Sequence, residues 1–220
     1  MYLRSDSFRP WSHLDPRLAF CKADPDSHVS LADNKNPHLA WSGAPEGTRS
    51  FALICCDSDV PSEGSRVNQE GMTVPLELPR VDFFHWVACD LPAALSGIAE
   101  GAHSSGVTAR GKAPGATPDG GVQGINDYTG WFAGDADMSG DYGGYDGPCP
   151  PWNDERVHGY RFTVYALDVA SLGLSGRFTG QQLRDAMKGH VLAEASLSGC
   201  YTLNPDVGRG DLQSRQAVWG

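Results

Sequence analysis

The chain has 220 residues, 40% hydrophobic and 20% charged, a soluble globular balance in a length that lets one domain, 1–220, bury a core unaided. A formal net charge of −10 repels polyphosphate backbones and anionic membrane surfaces, so general nucleic-acid binding is excluded while a small anion in a locally different pocket is not. The 27 glycines and 15 prolines favour turns and long loops over helical bundles.

The N-terminal MYLRSDSFRP lacks the apolar stretch of a secretory signal, and the longest apolar run, Phe51 to Cys56, is far short of the ~20 residues that span a bilayer. The cysteines are Cys21, Cys55, Cys56, Cys89, Cys149 and Cys200, with no C-x-x-C pair, so a zinc ribbon or thioredoxin-like site is not supported. Reduced thiols in a cytoplasmic protein are the expectation, with Cys55 and Cys89 as small core residues. Residues 1–48, punctuated by Pro10, Pro16, Pro25, Pro37 and Pro45, predict irregular structure with short strands. Ser50 to Cys56 reads as a strand ending in an Asp-rich turn. Phe83 to Cys89 reads as a second, with His85 and Val87 on one face and Phe84, Trp86 and Ala88 on the other. Tyr160 to Leu167 is a third, placing Tyr160, Phe162, Val164 and Ala166 together, and Gly199 to Leu203 a fourth. Thr179 and Gln182 form a capping box ahead of a helix that carries Leu183 and Met187 at i and i+4 and stops near Gly189. A second short helix is expected over His190 to Leu197. Residues 100–146 are Gly-rich, a span too long for a structureless loop, hence functional or locally structured. The fold class is mainly β, with antiparallel sheets and few helices.

Three segments carry candidate chemistry. In Cys56-Asp57-Ser58-Asp59-Val60-Pro61 a strand delivers two carboxylates two residues apart, although an Asx turn explains the same pattern. His85 sits in an apolar strand, where a satisfied core histidine is the plainer reading. Gly147-Pro148-Cys149-Pro150-Pro151 is a stiff loop in which Gly147 permits close backbone approach to a ligand and a cis proline is one way to set the shape. His158 and Tyr160 follow, two apart on one strand face. His13, His28, His38 and His103 read as solvated loop residues, and Trp41 and Trp86 as core.

Taken together, D-x-D-x-P, H-W with a following D-L-P, G-Y-x-G-P-C-P-P, H-x-Y-x-F and A-L-D resemble the phosphatidylethanolamine-binding protein family, in particular its bacterial Raf-kinase-inhibitor-like branch. The resemblance runs from about residue 30 to 205 and extends to Pro37 to Trp41, Gly189 to Ala193 and Gly199 to Tyr201. It implies a large antiparallel sheet packed on a smaller one with peripheral helices, and a small anion pocket at one end of the central sheet. Carried over, the anion-binding residues are Asp57, Asp59, His85, Gly147, Pro148, Pro150, His158 and Tyr160, with Tyr201 matching a tyrosine near the pocket in some members. Ser58 and Val60 replace the usual Pro and Ala, and Gly159 replaces an Arg. Expansions near 62–82 and 101–144, the latter with Trp131 and Phe132, would flank the pocket.

The implied function is non-enzymatic binding of a phosphate-bearing small molecule or phospholipid headgroup, without a cofactor, with regulation through an unknown protein partner and a homodimer as further expectations. Two imidazoles and the Tyr160 hydroxyl would donate to the anion, while Asp57 orients an imidazole; binding should strengthen below pH ~6.5, the ordinary histidine value. The alternative is a hydrolase using Asp57, Asp59, His85 and His158 as acid–base groups, although no G-x-S-x-G elbow is present. A metal site built on the same residues lacks H-x-x-x-H spacing.

Overall fold

The computed structural model describes residues 1–207; residues 208–220, the end of the expected domain, lie outside the described residues. The strands in chain order are β1 (Tyr2–Arg4), β2 (Cys21–Asp24), β3 (His28–Leu31), β4 (Leu39–Ser42), β5 (Ser50–Pro61), β6 (Arg80–Pro92), β7 (Gly97–Ile98), β8 (Gly115–Ala116), β9 (Val122–Gln123), β10 (His158–Leu167) and β11 (Val191–Tyr201). Two short α-helices, α1 (Tyr128–Trp131) and α2 (Gly180–Ala186), accompany them. The large antiparallel sheet has the order β11-β10-β5-β6-β9-β8; β1-β4-β7 form a smaller sheet and β2-β3 a separate hairpin.

Strand β5 reads as a continuous apolar run because both its faces are covered. Phe51, Leu53 and Cys55 join Trp86, Phe162 and Val164 in the larger core, together with Leu39, Trp41 and Ile98 from the small sheet. Ala52, Ile54 and Cys56 join the smaller core, under Leu183 and Met187 of α2. The helix starts as its capping box requires, Thr179 Oγ1 accepting from Gln182 N and Gln182 Oε1 from Thr179 N. A β-carbon on Gly180 would lie 2.3 Å from the Phe84 ring, so only glycine lets the helix start rest on β6.

Four expectations are corrected. His190 to Leu197 is not a helix: β11 runs antiparallel to β10, from Val191 opposite Leu167 to Tyr201 opposite His158. The Ala, Glu and Leu content there is compatible with helix, but the open edge of β10 supplies a ladder partner that an isolated short helix lacks. In β6, strict alternation fails at a bulge. Trp86 lies opposite Cys55 and Phe84 opposite Cys56, which leaves His85 as the extra residue. Trp86 and Ala88 therefore pack in the larger core, while Val87 joins Phe84 in the smaller one.

The thiols are not all reduced. Cys21 and Cys149 form a disulfide across 128 positions of sequence, because Phe20 N and Cys21 N both donate to Pro148 O and draw β2 onto the proline loop. The expectation of reduced thiols therefore fails at Cys21 and Cys149, while Cys55, Cys56, Cys89 and Cys200 form no disulfide. Finally, His103 is buried, its Nε2 2.7 Å from Asp119 and its ring edge-on to Trp86. No peptide bond among the described residues is cis. No described helix is long and apolar enough to cross a membrane.

Candidate anion site at the end of the central sheet

Three neighbouring strands deliver the polar groups. Tyr160 on β10 lies directly opposite Asp57 on β5, and the bulge in β6 turns His85 toward them. The His85 and Tyr160 rings meet edge to face at 5.1 Å. Asp57, His85, His158 and Tyr160 line one cavity of about 350 Å³.

The two histidines are in opposite electrostatic situations. His158 is buried between two carboxylates, with Nδ1 2.7 Å from Asp57 Oδ2 and Nε2 3.0 Å from Asp154 Oδ2. Carboxylate oxygens accept, so both ring nitrogens carry protons and the ring is an imidazolium. Burial opposes that charge, but the attraction of Asp57 and hydrogen bonds to Asp154 and Asp57 outweigh it and raise the His158 pKa to about 9. Burial also disfavours the charged form of Asp154, but His158 and Arg80 more than offset it and its pKa falls below the usual aspartate value. Among the described residues no carboxylate bonds the His85 ring. Its Nδ1 lies 2.8 Å from the Asp146 backbone carbonyl, which can only accept, so Nδ1 carries the proton and Nε2 is the nitrogen left for a ligand. Burial lowers the His85 pKa despite Asp57 and the Asp146 carbonyl. The Tyr160 hydroxyl is buried and makes no close hydrogen bond among the described residues; burial and the neighbouring Asp57 carboxylate raise its pKa.

The structure divides the expected site residues. Asp57, His85, Pro150, His158 and Tyr160 line the cavity; Asp59, Gly147, Pro148 and Tyr201 do not. Asp57 satisfies both readings of its motif, since Oδ2 meets His158 while Oδ1 accepts from Asp59 N at 2.8 Å in an Asx turn. Asp59 turns away and accepts from Gly159 N at 2.9 Å, near Arg156. Gly147 approaches backbone rather than ligand: a β-carbon there would lie 2.1 Å from the Leu18 carbonyl oxygen. Its N–H is spent on Asn34 Oδ1 at 2.8 Å. The Pro148 carbonyl holds β2, and Tyr201 Oη donates to the Cys21 carbonyl at 3.0 Å. These residues build the loop and its anchorage behind the cavity. Both His158 ring nitrogens are taken by carboxylates, so the expectation that both imidazoles donate to an anion is corrected for His158; of the two rings, only His85 keeps a nitrogen, Nε2, outside the hydrogen bonds described.

The family pattern for phosphatidylethanolamine-binding protein matches residues 5–202. The chain belongs to the phosphatidylethanolamine-binding protein family. A UPF0098 protein of Methanothermobacter thermautotrophicus is 34% identical over 80% of this chain and 89% of its own. The Escherichia coli UPF0098 protein YbhB is 30% identical over 77% of this chain and 83% of its own. Among solved structures, E. coli YbcL, described as a member of the mammalian family, superposes with a TM-score of 0.64 at 25% identity, covering 91% of this chain and 97% of that one. The family homologue CT736 of Chlamydia trachomatis gives 0.61 at 27% identity, covering 91% and 95%.

Two features of this family member escaped the sequence. The first is the support behind His158. Arg80 at the start of β6 and Asp154, four residues before His158, form a buried ion pair, with Arg80 Nη2 3.0 Å from Asp154 Oδ1. Only the i, i+4 spacing of Asp154 and His158 hinted at it. The second is the Asp146 cluster, in which Asn34, Lys112 and Asn126 bond its carboxylate and fix the carbonyl that holds His85. Segments 62–82 and 101–144 both flank the site. Val67 comes from one and Tyr128, Trp131, Phe132 and Met138 from the other, all on the cavity wall. Phe132 is an anchor, packed against Phe20 and Tyr142, whereas Trp131 is 52% exposed at the mouth.

Proposed function

We propose that the cavity binds a small phosphate-bearing molecule by its anionic group and does not turn it over. The observation that carries this reading is the pairing of two polar atoms on one cavity lining, His85 Nε2 and the buried Tyr160 hydroxyl, neither of which makes a close hydrogen bond among the described residues. Tyr160 donates its O–H, and His85, once protonated, donates from Nε2 to a phosphate oxygen in a site where burial strengthens each bond. The His158 imidazolium, held by Asp57 and Asp154, keeps those carboxylates from presenting bare negative charge to the anion. Because both His158 nitrogens are occupied, that residue serves the site as a fixed charge rather than as a proton shuttle.

The pH dependence follows from His85. Its pKa in the free protein is lowered by burial, so an anion that needs the imidazolium binds more tightly as pH falls, with the gain concentrated below 6.5. Titration with inorganic phosphate, followed by calorimetry and by nitrogen-15 shifts of the His85 ring, should show affinity rising from pH 8 to pH 5.5. The His85→Gln variant should lose the pH dependence. A flat profile in the wild type, or saturation with no His85 shift, overturns the reading.

A further inference from the structure

We infer that the natural ligand is a phosphate monoester whose organic group is aromatic, with the ring held in the upper part of the cavity. This inference rests on the phosphate reading above and goes beyond it. Volume is the first argument. At roughly 30 Å³ per water, the 350 Å³ cavity has room for about ten waters, so a bare phosphate on the floor fills only a fraction of it. Small-molecule sites are mostly apolar with a few convergent polar groups, and this cavity has that composition.

The lining sorts by height. Asp57, His85, His158 and Tyr160 form the floor, while the exposed Ser62, Glu63 and Asn68 stand at the rim. Between them the wall is aromatic. Phe83 meets Tyr128 edge to face at 5.2 Å, and Tyr128 stacks with Phe20 at 4.6 Å and with Phe132 at 5.7 Å. These rings brace one another within the cavity lining, a preorganised surface that loses little entropy when an apolar group is laid against it. Trp131 and Leu31 are exposed at the mouth, so apolar surface continues to the opening where a ligand enters. Tyr128, Trp131, Phe132 and Met138 on this wall all come from the 101–144 segment.

Methyl, cyclohexyl and phenyl phosphate share one headgroup and separate the terms. At pH 5.5 phenyl phosphate should bind at least tenfold more tightly than methyl phosphate, with the cyclohexyl ester between them. In Phe132→Leu, which removes a ring from the wall and keeps its bulk, the phenyl-to-methyl ratio should fall toward the cyclohexyl-to-methyl ratio, and Trp131→Ala, an exposed position whose removal spares the core, should lower it less. Equal affinities for methyl and phenyl esters overturn the inference and leave the phosphate reading standing. A cyclohexyl ester as tight as the phenyl overturns the aromatic assignment. No binding by any ester or by inorganic phosphate overturns the underlying reading, and the inference with it.

Discussion

His158 shows how burial and partners together decide what a residue does. An imidazole completely enclosed by protein ordinarily becomes neutral, yet two carboxylates on its two nitrogens keep this one charged with a pKa of about 9. A folded-state value above the ordinary 6.5 means that the native state holds this proton after the unfolded chain has lost it. The stabilisation is complete below pH 6.5 and is lost as pH rises toward 9, a loss on the order of 3 kcal/mol at 1.36 kcal/mol per unit. Urea unfolding between pH 6 and 9.5 checks this; in His158→Ala that decline should vanish. The variant itself should be destabilised by about 3–5 kcal/mol, because Asp57 and Asp154 would face each other without the charge between them. The histidines, Asp57 and Tyr160 were legible as residue types in an ordered pattern. That the two rings carry different charge was not, because it depends on Asp154 and on the Asp146 carbonyl, which belong to no motif.

Among the elements, the β2-β3 hairpin has the weakest claim to stand alone. It belongs to neither larger sheet, and a two-stranded ribbon is marginal in water. It is held by two backbone bonds to Pro148, by the Cys21–Cys149 disulfide, and by the His28 ring stacked on Trp152 at 3.9 Å. Cys21, Leu31 and Cys149 line the cavity, so the hairpin's anchorage is also part of the site wall. Closing a loop of 128 positions restricts the unfolded chain strongly, and its loss should cost about 2–5 kcal/mol. Thermal unfolding of the wild type with and without dithiothreitol, beside the Cys149→Ser variant, measures this. Both perturbations should lower Tm by a similar amount, and an unchanged Tm would refute the linkage. The disulfide was invisible in the sequence because nothing in the spacing of Cys21 and Cys149 says that Phe20 and Cys21 bond to Pro148.

For the molecule as a whole, charge and site are opposed. A net charge of −10 surrounds the floor proposed to bind an anion. Long-range repulsion acts over a Debye length of about 10 Å at 0.1 M salt, whereas the buried floor is screened much less. Raising sodium chloride from 10 to 150 mM should therefore speed the association of phenyl phosphate, measured by stopped-flow fluorescence. Competition by chloride would slow it, so the sign of the change decides between the two.

By itself the sequence determined the β-rich class, the three central strands, the capping box at Thr179 and the order of the site motifs. Each depends on short-range pattern: apolar alternation or continuity, cap spacing, or runs of glycine and proline. Tertiary structure decided which motif residues reach the cavity. Gly147, Pro148 and Tyr201 spend their polar groups or their close approach on the N-terminal segment, and Asp59 turns to Gly159. It also decided that His190 to Leu197 joins β10 as strand and that His85 stands out at a bulge. The physical reason is the same in each case. A hydrogen-bond partner distant in sequence competes with the local preference, and its position becomes known only when the sheet has formed.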